Sequence, residues 1–443
     1  MKKILLLLTE LFPYGKTAET FLEPEIDIAR KYFDEIYIIP SSQIKKYNEK
    51  RELSYKNVYI SPVKREFLLI ECIKSFRYIV KHKGFWQDIK MLSENGIIKK
   101  VSAWRKLIYA ILTEAAIFRH FKSVPFIIDK NASIVIYSYW LFGEAGGAIA
   151  IKKLFENKQT IAVARAHGTD IVGYRSIKYY SPLKKYYLDE LDVVYPISEN
   201  GKEHLVKHYQ KYNCNSEAIL EKIHSIHLGV EIMDKIEKQK NLIDNVFTIV
   251  SCSSIIPVKR VHLIIEGLSY IHTNRIKWIH LGGGELLEDA KSKCKEVLGE
   301  NISYEFKGAL SRKSVIDFYK NNNIHLFINV SSSEGIPVSM MEAFSFGIPA
   351  IATNVGGVSE LCYDEINGFL LQKDFKPIEL SKLILKIINI IENNYNEYLL
   401  MRQNARSTIV NEFSLKNHDK FYNQIIEKVN GDYIDNYCEK AKL

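Results

Sequence analysis

The chain holds 443 residues, 47% of them hydrophobic and 26% charged, with a formal net charge of +9. That length exceeds what one hydrophobic core serves and predicts two domains of roughly 200 residues, and the composition excludes a disordered or fibrous chain. No apolar run reaches the roughly 18 residues of a membrane span, and six scattered cysteines without a CxxC pair argue against a disulfide framework or a cysteine metal site.

Met1-Lys2-Lys3 followed by Ile4 to Leu8 has the outline of a signal peptide, but Thr9-Glu10 ends the apolar run too soon. A buried first strand is the better reading, and cytoplasmic residence is expected, with the inner face of the plasma membrane as a peripheral location. Strands are predicted at Lys3 to Leu8, Glu35 to Ile39, Ser133 to Tyr137, Thr160 to Ala164, Val193 to Ile197 and Ile223 to His227. Between the first two, residues 22–29 form a helix with Pro24 in its opening turn. A β-α alternation of this kind predicts a parallel sheet covered on both faces.

From Lys64 to Lys122 there are 13 Lys or Arg against 5 Asp or Glu, a net +8 within 59 residues. Apolar residues such as Phe67, Leu69, Phe76, Trp86 and Trp104 are interleaved with these charges. The segment, about 64–125, reads as a basic helical insert. It suits an anionic membrane surface or an anionic acceptor, and an ordinary solvated insert with a basic surface is equally open. Nucleic acid would also fit the charge, but no nucleic-acid partner is expected.

A polar stretch from Glu231 to Asp244 reads as a linker, after which the pattern restarts. Strands are predicted at Val246 to Cys252, Lys277 to Leu281, Ile302 to Phe306, Ile324 to Val330, Ala350 to Thr353 and Gly368 to Leu371, and the tail from Phe375 is helical. The fold class is therefore α/β, with two Rossmann-like doubly wound domains facing each other across a ligand cleft. The expected boundaries are 1–230, 231–400, and 401–443 as helices packing back on the first domain.

The most informative segment runs from Ser331 to Ala343. It follows a predicted strand, and Pro337 sits where a helix begins. Gly347 and Pro349 then end that helix. Free backbone N–H groups from Gly335 to Ser339 beside a helix N-terminus make a site for a diphosphate or a sugar hydroxyl. Glu334 and Glu342 are carboxylates suited to vicinal diols. A plainer reading makes Glu342 the capping-box partner of Ser339. That accounts for Glu342 but not for the Ser-Ser-Ser-Glu-Gly-Ile-Pro loop.

The Glu-x7-Glu spacing and the following Ala-Phe-Ser-Phe-Gly-Ile-Pro-Ala-Ile-Ala-Thr-Asn-Val-Gly-Gly-Val-Ser-Glu resemble the donor site of retaining GT-B glycosyltransferases, family 4. The resemblance is strong over 246–372 and looser before it. It implies that Glu334 contacts the transferred sugar and that Glu342 binds the nucleotide ribose. Gly335, Ile336, Pro337 and Val338 would meet the sugar and phosphates through their backbone. Lys259, in Val250 to Arg260, resembles the lysine that neutralises the donor diphosphate. Ser254 stands where the family often has Arg, which leaves the diphosphate to Lys259, or to Arg260 if it turns in.

The Gly282-Gly283-Gly284 run follows a strand, and Gly283 is expected at the donor. Lys307 and Gly308 resemble the strand end that borders the nucleobase. In the first domain, His167 of His-Gly-Thr-Asp resembles a histidine near the transferred sugar. Gly15, after the first strand, resembles a loop that meets the acceptor or a phosphate.

These likenesses imply retaining transfer of a sugar from a UDP- or GDP-type donor to a hydroxyl of a glycan or lipid-linked acceptor, in surface polysaccharide assembly such as lipopolysaccharide or capsule. The leaving phosphate would take the acceptor's proton, with no glycosidase-like nucleophile. The catalytic residues are then Glu334, Lys259 and His167; no cofactor and no metal are expected. The rival readings are a sugar-nucleotide epimerase of similar fold and an inactive sugar-nucleotide-binding subunit.

Overall fold

The computed structural model describes residues 1–15, 19–42, 50–53, 55–124, 131–155, 159–171, 180–212, 220–233 and 246–430. Most of the expected linker, and Cys214 and Cys438, lie outside them. Two compact units form. The first comprises Met1–Ile197, Gly201–Ile226 and the chain from His418; the second comprises Ser198–Asn200 and His227–Asn417.

The strands of the first unit are β1 (Lys3–Thr9), β2 (Glu35–Pro40), β3 (Val58–Ile60), β4 (Ser133–Ser138), β5 (Thr160–Ala166) and β6 (Val193–Pro196). Its helices are α1 (Leu22–Ala29), α2 (Leu68–Lys81), α3 (Lys83–Glu94), α4 (Val101–Ser123), α5 (Gly143–Lys152), α6 (Gly168–Ile171), α7 (Lys184–Glu190) and α8 (Glu199–Tyr212). The sheet is parallel, in the order β3-β2-β1-β4-β5-β6. Ile4 to Leu8 are fully buried because both sheet faces are covered, which is why β1 is an unbroken apolar run rather than an alternating one.

The second unit holds β7 (Val246–Cys252), β8 (Arg275–Leu281), β9 (Ile302–Phe306), β10 (Leu326–Asn329), β11 (Ala350–Thr353) and β12 (Gly368–Leu371). Its helices are α9 (Val261–Ser269), α10 (Leu287–Val297), α11 (Arg312–Asn321), α12 (Val338–Ser345), α13 (Pro377–Asn393) and α14 (Tyr395–Glu412). A last helix, α15 (Lys416–Asn430), leads back to the first unit. The second sheet, β12-β11-β10-β7-β8-β9, is also parallel and repeats the first order in mirror listing. In each sheet the order reverses beside the first strand: between β1 and β4, and between β7 and β10. Loops leaving the carboxyl ends of those strands diverge there and leave a crevice for ligands.

Two strand expectations change. Residues 223–227 form no strand of their own; a bridge joins Ile223 to Val194, and Ile226 N–H donates to Pro196. They run extended beside β6 without a full ladder. Val58–Ile60 is a strand that apolar patterning does not show, because it lies at the sheet edge and is only partly buried. The tail also divides later than expected: α14 packs on α12 in the second unit, and the return to the first begins at His418 rather than 401.

The return is anchored by buried polar groups. Glu25 of α1, with no exposed surface, accepts 3.0 Å hydrogen bonds from the hydroxyls of Tyr137 and Tyr422. His418 lies 3.4 Å from its other oxygen. Arg165 stacks over Phe421 at 4.1 Å and donates to the Ile226 carbonyl at 2.6 Å. An acidic side chain buried this deeply depends on the donors that reach it; both hydroxyls serve Oε1, and Oε2 has the His418 contact but no hydrogen bond. Tyr422→Phe removes one donor, with an expected cost of about 1–2 kcal/mol. Urea unfolding should show a lower midpoint at unchanged slope.

Candidate functional site

In the second unit, two loops leave the sheet on either side of the reversal. One follows β7 and turns through a short 3-10 helix, Pro257–Lys259. The other follows β10 and ends at α12. They are stitched together: Ser332 N–H donates to the Val258 carbonyl at 2.8 Å, and the Ser332 hydroxyl reaches the same oxygen at 3.2 Å.

Arg260 braces both loops. Its φ of 50° marks the left-handed turn between the 3-10 helix and α9. Its guanidinium donates to the carbonyls of Val330 (2.7 Å), Lys373 (2.7 Å) and Ser331 (3.3 Å) and to the Thr353 hydroxyl (3.3 Å). Arg260 is thus placed as a brace of the two loops, its rigid fork of donors meeting three carbonyls and one hydroxyl.

The stitched loops bring Lys259 and Glu334 together, with Nζ 2.5 Å from Oε1. Asn329 Nδ2 reaches the same carboxylate oxygen at 3.3 Å, and Asn329 Oδ1 accepts from Ser331 N–H at 3.1 Å. Asn329 thus orients Glu334 and the loop together, a role that no motif position signals. Both members of the ion pair keep some solvent exposure, so a ligand can reach them.

Behind Glu334, the turn at Gly356-Gly357 presses on the loop. Gly357 N–H donates to the Gly335 carbonyl at 2.8 Å. At Gly356, φ is 59°, and an added Cβ would stand 1.9 Å from the Glu334 carbonyl oxygen. Only glycine fits there. The Gly-Gly pair is legible in the sequence motif, but its function of backing Glu334 appears only in three dimensions.

Pro337 is the N-cap of α12 rather than a residue of its first turn, and its carbonyl accepts from Met340 and Met341 N–H. Ile336 is buried. The N–H groups of Gly335, Ile336, Val338 and Ser339 have no partner among the described residues. Those of Val338 and Ser339 open an eight-residue helix and carry its positive end. Ser339 lies inside the helix, so the capping-box reading of Glu342 does not hold.

Glu342 instead pairs with Arg312, at 2.9 Å from Nε to Oε1. Burial pushes its carboxyl pKa upward, and the Arg312 charge opposes that. Sequence reasoning did not single out Arg312. Its signal is a cation in the first turn of α11, where the helix dipole disfavours positive charge.

Ser254 is exposed and reaches no carboxylate. Its loop is held by a relay behind it. The Trp278 indole donates to the Ser251 hydroxyl (2.9 Å), Ser251 bonds His280 Nδ1 (2.8 Å), and His280 Nε2 reaches the Ser253 carbonyl (3.0 Å). Burial lowers the His280 pKa to about 4, so the ring is neutral and donates from Nε2.

The glycine run closes on the same loop. A Cβ at Gly282 would meet the Ser253 carbonyl oxygen at 1.9 Å, and the Gly283 carbonyl accepts from Ile255 N–H at 2.8 Å. At the end of β9, the Lys307 amine pairs with Glu305 at 2.5 Å and its N–H donates to the His280 carbonyl. Gly308 has φ of 70° with open space at its Cβ position.

In the first unit, His167 is buried at the end of β5 among Phe21, Tyr139 and Trp140. Its N–H donates to Asp170 Oδ1 (2.6 Å), and Nε2 donates to the Tyr139 carbonyl (3.1 Å). A carbonyl can only accept, so Nε2 carries the proton and Nδ1 is left as an acceptor. Gly15 has φ of 81°, and its carbonyl accepts from Arg51 at 2.8 Å. Lys16 to Ala18 lie outside the described residues. The preceding loop is ordered by Glu19, whose carboxylate accepts from the N–H groups of Glu10, Leu11 and Phe12 and from the Trp140 indole.

Burial, seconded by Arg165, lowers the His167 pKa from 6.5 to about 3. Between those values the unfolded chain binds a proton that the folded chain does not. His167 therefore removes stability as the pH falls from 6.5 toward about 3, and contributes no pH dependence above that interval. The urea midpoint of the wild type should fall more steeply than that of His167→Asn between about pH 7 and about pH 5.

The family described as glycosyl transferases group 1 matches residues 233–408. An Escherichia coli UDP-Gal:alpha-D-GlcNAc-diphosphoundecaprenol alpha-1,3-galactosyltransferase is 26% identical over 208 residues, covering 46% of this chain and 49% of that protein. The Escherichia coli O-antigen biosynthesis glycosyltransferase WbnH is 33% identical over 146 residues, 33% of this chain and 37% of that protein. The matched portion thus spans half or less of these relatives' length.

Among solved structures, a glycosyltransferase from Rickettsia africae superposes with a TM-score of 0.63 at 17% identity, covering 97% of this chain and 98% of that one. Anabaena Alr3699/HepE, solved with UDP and glucose, gives 0.60 at 15% identity, covering 97% and 100%. The fold is GT-B, and residues 233–408, most of the second unit, are similar to the glycosyl transferases group 1 family.

Proposed function

We propose that the protein is a glycosyltransferase that moves a sugar from a UDP- or GDP-type donor to a hydroxyl of a glycan or lipid-linked acceptor, with retention at the anomeric carbon. The observation that carries the reading is the Lys259–Glu334 pair, held by stitched loops beside the unpartnered N–H groups that open α12. A diphosphate brings the negative charge that Lys259 and those N–H groups are arranged to meet. Glu334, released from Lys259, would accept hydrogen bonds from the sugar, and Glu342, held by Arg312, from the ribose diol. Similarity to a glycosyltransferase of O-antigen biosynthesis supports surface polysaccharide as the product class.

In the proposed step, the acceptor oxygen bonds to the anomeric carbon on the face from which the diphosphate leaves. The carbon–oxygen bond to the phosphate breaks, and the acceptor's proton passes to the leaving phosphate oxygen. Lys259 and the N–H groups of Gly335, Ile336, Val338 and Ser339 stabilise the developing charge. That charge stabilisation is assigned to the protein alone, so the rate is expected to be unchanged in EDTA. His167, neutral with Nδ1 as acceptor, is proposed to receive a hydrogen bond from a sugar hydroxyl.

The test is a panel of UDP- and GDP-sugars, scored by thermal shift and then by nucleotide release with and without acceptor. One donor should stabilise the wild type, and Glu342→Ala should weaken its binding by about 10- to 100-fold. Turnover without acceptor would indicate an epimerase, and the absence of any shift an inactive binding subunit. Separately, Lys259→Met should lower kcat by about 100-fold or more. Proton NMR of the product should show the donor's anomeric configuration; inversion would overturn the proposed step.

A further inference from the structure

Helix α2 is built inside out. The two side chains it buries fully are polar, Glu71 and Ser75, with Tyr78 and Ile79 partly buried against the core beside them. Glu71 receives Arg65 through two bonds of 2.7 Å and the Glu66 N–H at 3.0 Å, and Ser75 accepts from Arg119 at 2.6 Å. These contacts fix which face points inward. The opposite face carries Leu69, Ile73, Phe76 and Val80, spaced i, i+4, i+7 and i+11, so they form one stripe. Leu69, Ile73 and Phe76 are 74%, 70% and 65% exposed, and Phe67 at the N-cap is 83% exposed. Ordinary amphipathic packing would bury this stripe and expose Glu71. Contiguous exposed apolar surface of this kind marks an interaction site.

Beside the stripe, one helical step round, lie Lys74, Arg77 and Lys81. They border a cavity of about 490 Å³ that Lys83, Arg119 and Lys153 also line. Glu190, the acid in that lining, is already paired with Lys153 at 2.8 Å and Lys83 at 3.8 Å. Lys74 pairs with Glu66 at 2.8 Å. Arg77 and Lys81 have no carboxylate at ion-pair distance among the described residues.

We infer that α2 docks the first unit on an anionic lipid bilayer, lying flat with the 69/73/76/80 stripe among the acyl chains and the Lys74, Arg77 and Lys81 row at the phosphate headgroups. Apolar stripe and cationic row, side by side on one helix, match the layered chemistry of a bilayer interface. A second copy of this chain would cover the stripe but bring the same cations against its own, which charge complementarity disfavours. No helix among the described residues is long and apolar enough to cross a membrane, so α2 lies on the surface. The inference needs no sugar nucleotide and stands independently of the proposed transfer reaction.

The test is co-sedimentation of the full chain, without nucleotide, with vesicles of phosphatidylcholine alone or mixed two to one with phosphatidylglycerol, at low and high salt. Binding is expected to the mixed vesicles at low salt and to fall at high salt. Ile73→Glu with Phe76→Glu should weaken it by about tenfold or more, and Arg77→Glu with Lys81→Glu should remove its salt dependence. All four side chains are exposed, so circular dichroism should show both variants folded. The inference is overturned if the wild type stays in the supernatant at low salt, or if the Ile73→Glu, Phe76→Glu variant binds as the wild type does. It is equally overturned if sedimentation velocity shows a dimer that this variant dissolves and vesicles do not compete for.

Discussion

The candidate site rests on keeping two loops of one sheet in fixed register so that Lys259 and Glu334 face each other. The loops come from strands that are neighbours in space but about 75 residues apart in sequence. Three devices hold them: the Ser332 bonds to Val258, the Arg260 guanidinium across Val330 and Ser331, and the Gly356-Gly357 turn pressed on Glu334 and Gly335. Each acts on the backbone of the loops, so the Cα positions of Lys259 and Glu334 are fixed apart from the pairing of their side chains. A site that must stabilise charge appearing only during reaction gains from this, because fixed groups need not reorganise when the charge forms.

The surroundings set the protonation states. His280 and His167 are both buried and neutral, and each donates through Nε2 to a main-chain carbonyl. Each ring therefore serves as a fixed dipole, not as a switch in the physiological range. Glu342 is the opposite case. Burial favours its neutral form, and Arg312 supplies the charge that resists this. The carboxylate and its partner form a unit, and neither residue's contribution can be assigned without the other.

Much of this was legible because it lies in contiguous sequence. The apolar runs of β1 and β7, the Glu334-to-Glu342 spacing and the glycine at 347 are local signals, and local chemistry decides them. What escaped depends on distant partners. Arg312 meets Glu342 across 30 residues, and the Trp278–Ser251–His280 relay joins two strands. Arg260 looked like a free cation because a sequence does not show carbonyls 70 and 113 residues away. Helix α2 depends on distant partners too: its apolar residues are plain in the sequence, but which face turns inward rests on Arg65 and Arg119 meeting Glu71 and Ser75.

The placement of α15 has a consequence for biosynthesis. Apart from three residues, the second unit is one continuous stretch and can complete its core as soon as residue 417 has emerged from the ribosome. The first unit begins earlier and finishes later, since Tyr422 and Phe421 must arrive before Glu25 and Arg165 acquire their full set of partners. Until then a nascent chain carries an acid and a guanidinium beneath an uncovered apolar surface. The first unit therefore stays incomplete after the second can close, and its maturation waits on α15.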